Sequence, residues 1–136
     1  MTKPDVPSHP QTSGYSYKIN DPFWSHYIEL VRNVVVPYQW EALNDRIEGA
    51  EPSRAIQNFR IAAGEEEGVH YGMVFQDSDV AKWIEAASYL LSAKSDPELE
   101  VLVDSVIETI ARAQQADGYL NTYFTLGTWR ALDEPR

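Results

Sequence analysis

Between His70 and Trp83 the chain reads His-Tyr-Gly-Met-Val-Phe-Gln-Asp-Ser-Asp-Val-Ala-Lys-Trp, which crowds Phe75, Gln76, Asp77 and Asp79 into one short turn. Phe offers a stacking face, Gln both donates and accepts, and ionised Asp accepts from hydroxyls. Together they suit a small polyhydroxylated ligand. Two carboxyl groups roughly 5–9 Å apart are also what glycosidic cleavage asks for. An Asp-x-Asp loop can hold a metal-bound nucleotide sugar as well. Helix capping competes with these readings, because Asp and Ser accept first-turn N–H bonds and complement the helix dipole. Capping ranks first for at least one Asp, pocket lining second, and acid–base chemistry last.

A second stretch of similar character runs Asp117-Gly-Tyr-Leu-Asn-Thr-Tyr-Phe124. Tyr119 and Tyr123 would make a wall for a sugar ring, or would simply pack a turn. The remaining candidates are weaker. His70 reads as a hydrogen-bonded structural histidine. His9, His26 and His70 lie far apart and show no metal-ligand spacing. With no cysteine in the chain, thiolate chemistry and disulfides are excluded.

The elements that position these residues read as helices. Asp21-Pro22 is a start signal, and Phe23, Tyr27, Leu30, Val31 and Val34 follow at helical spacing. Pro37 predicts an end or kink near Val36, with a restart over 38–43. Residues 45–58 read as a polar loop, followed by a short helix around 56–63 that Gly64 ends. Glu65–Glu67 reads as a solvated acidic turn. From Asp79 to about Ala93, Val80, Trp83, Ile84, Ala87 and Leu91 form an apolar stripe. Ser95-Asp96-Pro97-Glu98 opens the next helix, whose stripe runs Leu99, Leu102, Val103, Val106, Ile107, Ile110 and Ala113. Glu108 and Arg112 are spaced for an i, i+4 pair, and Gly118 suits a left-handed cap. A connection of about four residues predicts that the last two helices pack antiparallel. Trp83 is expected in the core, and Trp24 and Trp40 as packing residues. No strand-period run competes, so the fold class is all-α.

Composition narrows the partners. The 136-residue chain is 43% hydrophobic, 12% aromatic and carries a net charge of −10. The first two values are those of a core-forming sequence. The third argues against nucleic acid and anionic membranes, which need basic surfaces. No apolar run approaches the roughly 20 residues of a membrane span, and no apolar leader precedes residue 20. The sequence therefore reads as cytoplasmic, with no membrane partner. Residues 1–20 read as an irregular lead-in, and residues 129–136 as an interruption rather than a natural stop. The broad apolar faces must close on one another or on further protein, because leaving them wet costs several kcal/mol at about 25 cal/mol per Å².

Four segments in order carry a family resemblance: Asp21-Pro-Phe-Trp24, Val36-Pro-Tyr-Gln-Trp40, Gly72-Met-Val-Phe-Gln-Asp-Ser-Asp-Val-Ala-Lys-Trp83, and Ala113-Gln-Gln-Ala-Asp-Gly-Tyr-Leu-Asn-Thr-Tyr-Phe124. Together they resemble the N-terminal part of the family 127 glycoside hydrolases, the non-reducing-end β-L-arabinofuranosidases. The resemblance implies an all-α catalytic domain, an (α/α)6 barrel built from αα-hairpins, of which residues 21–136 would be the first part. It implies hydrolysis of terminal β-L-arabinofuranosyl residues from glycans, hence carbohydrate metabolism, and a homodimer at full length. It also implies a zinc-bound cysteine nucleophile and a glutamate acid/base. All of these lie downstream of the matched segments, so no catalytic residue and no metal ligand is assigned to this chain. Phe75, Gln76, Asp77, Asp79, Tyr119 and Tyr123 remain the candidate substrate-binding residues, and the chain alone is expected to be inactive. The alternative is a self-contained helical protein-interaction module without catalysis.

Overall fold

The computed structural model describes residues 19–127. The tail over 129–136 and most of the N-terminal lead-in lie outside them. Among the described residues every regular element is helical. α1 spans Pro22–Leu30, a π-helical segment Val31–Val35 follows without a break, and α2 spans Val36–Leu43. α3 is Ala55–Ala62, α4 Asp77–Ala93, α5 Pro97–Ala113, and α6 the single turn Thr122–Thr125.

Asp21 caps α1 through its carboxylate, which accepts from the Trp24 N–H at 2.9 Å, and Pro22 takes the first helical position. Pro37 does not end this helix. The chain widens to π pitch just ahead of it, with the Val36 N–H bonded back to the Val31 carbonyl. The i→i−4 ladder is already interrupted there, so the missing proline N–H and the bulk of its ring are absorbed at the second residue of α2.

The core gathers Val36, Leu43, Ala55, Ile56, Phe59, Val80, Trp83, Ala87, Leu90, Val103, Val106 and Ala113. The stripes expected on α4 and α5 thus turn inward, except for Ile107, which lies at the edge of the α5 stripe and is exposed, and α3 packs on both helices. Trp83 is buried as expected, with its indole N–H donating to the Val36 carbonyl at 3.0 Å. Trp40 stacks on it at 4.7 Å between ring centroids. Trp24 departs from expectation: it is exposed, beside Phe23 and Tyr27 on a helix that buries no residue.

Buried Arg32 lies within the π segment. Its Nη2 donates to the Leu90 carbonyl near the end of α4 at 2.7 Å, and Nη1 stands 4.0 Å from Asp96, the residue that caps α5. One guanidinium therefore ties the first helix to the α4–α5 corner. A cation near the C-terminus of a helix is also favoured by the helix dipole. The acidic turn is less free than expected. Glu65 accepts two bonds from Arg112, which approaches Glu108 only to 3.9 Å, and Glu66 pairs with Arg60.

Candidate functional site

The two polar and aromatic loops singled out in the sequence meet side by side. The first, residues 69–76, is held from behind by Asn58. Its buried side chain donates to the Tyr71 carbonyl at 2.9 Å and accepts from the Tyr71 N–H at 3.1 Å. A backbone with both polar groups satisfied by one amide is fixed in place. Gly72 has φ +96, and a Cβ there would fall 1.7 Å from Gln76 Oε1, so any other residue would strain the backbone and displace the Gln76 amide. Gln76 fills that space. It accepts from the Met73 N–H at 2.9 Å and donates to the Ser53 carbonyl at 2.5 Å. Its amide is therefore engaged on both sides in clasping this loop to the one before α3.

Asp77 joins the first loop to the second. Its carboxylate accepts from the Thr122 N–H and from the Thr122 hydroxyl, each at 2.6 Å. Asn121 caps α6 by accepting from the Phe124 N–H at 3.1 Å, and its amide donates to the Val74 carbonyl at 3.3 Å. The second loop is tightened by Asp117, whose carboxylate accepts from the Tyr119 N–H at 2.9 Å. Gly118 supplies the positive φ of +91 that this turn needs. It is a turn residue and not the expected cap of α5, since that helix ends at Ala113 with Gln114 in extended conformation.

The expected side-chain cap on α4 does not form, although Asp77 and Asp79 both stand in its first turn, where their charges complement the helix dipole. α4 begins at Asp77 with no side-chain cap, because a turn leads into it: the Ser78 and Asp79 N–H groups already bond to the Phe75 and Gln76 carbonyls at 3.0 Å. With those donors taken, Asp77 is free for Thr122 and Asp79 for Lys82 at 3.0 Å. Nor do the two carboxylates converge. Positions i and i+2 of a helix do not face each other. Asp77 lines a cleft of about 380 Å³ with Phe59, Ser78, Ala81, Ile84, Ile110 and Leu120. Asp79 lines another, of about 260 Å³, with Gln39, Ala42, Leu43, Ser53, Lys82 and Trp83.

The aromatic candidates divide in the same way. Phe75 is 64% exposed and Tyr119 45% exposed, so both faces are available to a ligand. Tyr123 is half-buried, in T-shaped contact with His70 at 5.2 Å and with Phe124 at 5.1 Å. His70 was expected to be a hydrogen-bonded histidine. It is buried, and neither ring nitrogen has a partner among the described residues. Burial pushes its pKa below the ordinary histidine value, against an opposing pull from the Asp77 charge. Sequence reasoning passed over Asn58, Thr122 and Arg32. The Asn-Thr pair ahead of two aromatics was a capping signal for α6, and an Arg on an apolar helical stripe was a signal of burial with a partner.

Among the described residues no group of three or more His, Cys, Asp or Glu side chains is placed to hold a metal ion. The donor set for the zinc that the sequence resemblance implies is not assembled by these residues. No helix of the described residues is long and apolar enough to cross a membrane.

Residues 16–134 match the family described as "Beta-L-arabinofuranosidase, GH127 catalytic domain". The chain belongs to this family. A non-reducing end β-L-arabinofuranosidase of Bifidobacterium longum subsp. longum is 43% identical over an alignment of 132 residues, which covers 87% of this chain and 20% of that protein. Among solved structures, the GH127 β-L-arabinofuranosidase Ara127N of Geobacillus stearothermophilus T6 is 66% identical, with a TM-score of 0.81 over 83% of this chain and 18% of its own. The GH127 β-arabinofuranosidase BT3674 is 34% identical, with a TM-score of 0.67 over 80% of this chain and 16% of its own. The chain thus spans about a fifth of the length of these GH127 relatives.

Proposed function

We propose that this chain is the N-terminal part of a GH127 enzyme that hydrolyses terminal β-L-arabinofuranosyl residues, within an (α/α)6 barrel. Its own share of the work is to build one edge of the sugar pocket. The observation that carries this reading is the Asp77–Thr122 junction, which holds two loops far apart in sequence as one rigid unit with Phe75 and Tyr119 exposed on it. Exposed rings on a rigid loop pair suit stacking against a furanose. In this reading Phe75 and Tyr119 contact the sugar. Gln76, Asp77 and Tyr123 hold the loops that present them, and Asp79 lies on the neighbouring cleft. The nucleophile, the acid/base and the zinc ligands come from residues outside this chain, which has no cysteine. The three homologous proteins, each described as a β-L-arabinofuranosidase or β-arabinofuranosidase, support the substrate class.

The test is an assay on an aryl β-L-arabinofuranoside, run in parallel on this chain and on the product of its extended reading frame. Hydrolysis is expected from the extended product only, and Phe75→Ala with Tyr119→Ala should raise its KM. Robust turnover by the 136-residue chain itself would overturn the division of labour. An extended product that cleaves other aryl glycosides but no arabinofuranoside would overturn the substrate.

A further inference from the structure

Two residues take a backbone conformation that their side chains disfavour. Among the described residues, Asp45 at φ +60 and Arg54 at φ +57 are the only non-glycine residues with positive φ. They bracket the loop between α2 and α3, and they are bonded to each other. The Asp45 carboxylate accepts from the Arg54 backbone N–H at 3.0 Å, and its second oxygen stands 3.5 Å from Arg54 Nε. Aspartate tolerates the left-handed region better than most residues, whereas arginine enters it only where its surroundings hold it there. Arg54 is held on three sides. Besides its bonds to Asp45, its guanidinium donates to Gln57 Oε1 on α3 at 2.8 Å and lies over the Tyr71 ring, 5.9 Å from the centroid. The ion pair with Asp45 is partly exposed and by itself contributes little, so the backbone bond is the important one.

The Arg54 N–H and the Ser53 carbonyl are the two ends of one peptide unit. Asp45 holds the N–H end, and the Gln76 amide, at 2.5 Å, holds the carbonyl end. The φ of Arg54 is the rotation about the bond from that peptide nitrogen to Cα, so it sets the angle of the whole unit against α3. A return of Arg54 to negative φ would swing the Ser53 carbonyl away from Gln76. Gln76 in turn accepts from the Met73 N–H at 2.9 Å and so fixes the turn that carries exposed Phe75. We propose that Asp45 and Arg54 are positioning residues for the pocket edge: they lock the 53–54 peptide at the angle that receives Gln76, and through Gln76 they set where Phe75 stands. This inference rests on the reading that Phe75 contacts the sugar, and it requires no contact between the sugar and either residue of the pair.

Hydrogen exchange at the Met73 amide of the chain reports the clasp directly, and steady-state kinetics of the extended product report its consequence. Asp45→Ala should speed exchange at Met73 about tenfold while leaving core amides of α5, such as that of Val106, unchanged. In the extended product it should raise KM about fivefold at nearly constant kcat, the mark of lost binding shared by ground and transition states. Asp45→Asn keeps a side-chain acceptor and a residue tolerant of positive φ, so it should restore most of both values. Arg54→Ala and Arg54→Gly lose the same guanidinium contacts, but only glycine adopts φ +57 without strain. Faster Met73 exchange is therefore expected with Ala and much less of it with Gly. Equal exchange in those two variants, or Met73 exchange unmoved by Asp45→Ala, would overturn the assignment. So would acceleration that spreads equally to α5, because the pair would then serve general stability. Faster Met73 exchange with an unchanged KM would leave the hold on the loop standing and remove Phe75 from the sugar.

Discussion

Asp77 decides how the candidate site is held, and its role is testable one side chain at a time. Two hydrogen bonds from Thr122 converge on a half-buried carboxylate. Hydrogen bonds to charged groups contribute about 1.5–3 kcal/mol each. Asp77→Ala is expected to cost about 2 kcal/mol of stability in urea unfolding, and a double-mutant cycle with Thr122→Val should show coupling of at least about 1 kcal/mol. Gly72→Ala should cost about 1–3 kcal/mol from the positive φ alone, with a further loss from the approach to Gln76 Oε1. Gly72→Ala/Gln76→Ala should remove the contact, so the double variant should cost less than the sum of the backbone strain, the contact and the two lost Gln76 hydrogen bonds measured in the single variants. His70 sets a pH dependence. Its pKa is lowered in the folded chain, so the unfolded chain takes up the proton first. Stability is therefore fully present above the ordinary histidine value of about 6.5 and falls as pH drops below it. His70→Phe should flatten urea midpoints measured between roughly pH 7 and pH 5. A midpoint that rises on acidification in the parent chain would contradict this sign.

At the scale of elements, the corner between α4 and α5 concentrates the structural risk. Asp96 caps α5 through the Leu99 N–H at 3.1 Å and is also the carboxylate nearest to buried Arg32. Asp96→Ala removes both interactions. The cap alone contributes about 1 kcal/mol, so the loss in chemical unfolding should exceed that of Asp21→Ala, whose cap is exposed and serves only α1. The Asp96-Pro97 signal and the α5 stripe were legible because capping and periodicity are local properties. The π segment was not legible. Proline predicts a broken helix, and the wider turn that accommodates Pro37 leaves no local pattern, because its helical φ and ψ differ little from those of its neighbours. The Glu108–Arg112 spacing was read correctly but describes the weaker contact. The three-dimensional position of Glu65 gives Arg112 a better partner, and local spacing cannot contain that information.

At the scale of the whole molecule, a buried core coexists with an exposed aromatic helix. The core runs through α2, α3, α4 and α5, whereas α1 takes no part in it. Cooperative unfolding is therefore expected from the core, together with binding of a hydrophobic dye by the native chain. Trp24→Ser with Tyr27→Ser should reduce the dye signal without changing the unfolding free energy from urea titration by more than about 0.5 kcal/mol, since exposed positions contribute little to folding. A native chain that binds no dye would favour a self-contained module over the first part of a larger domain.

The sequence by itself determined the helical class, the starts of α1 and α5, the apolar stripes of α4 and α5, and the family, because each is written in short-range spacing or in ordered motifs. Tertiary structure alone decided that the loops at 69–76 and 117–121 are bound together, and that Asp77 grips Thr122 rather than capping its own helix. It also decided that Asp77 and Asp79 serve different clefts and that Trp24 stays in the open. The physical reason is common to all four. A polar or aromatic side chain takes the best partner within reach, and which partners lie within reach is set by how distant segments pack.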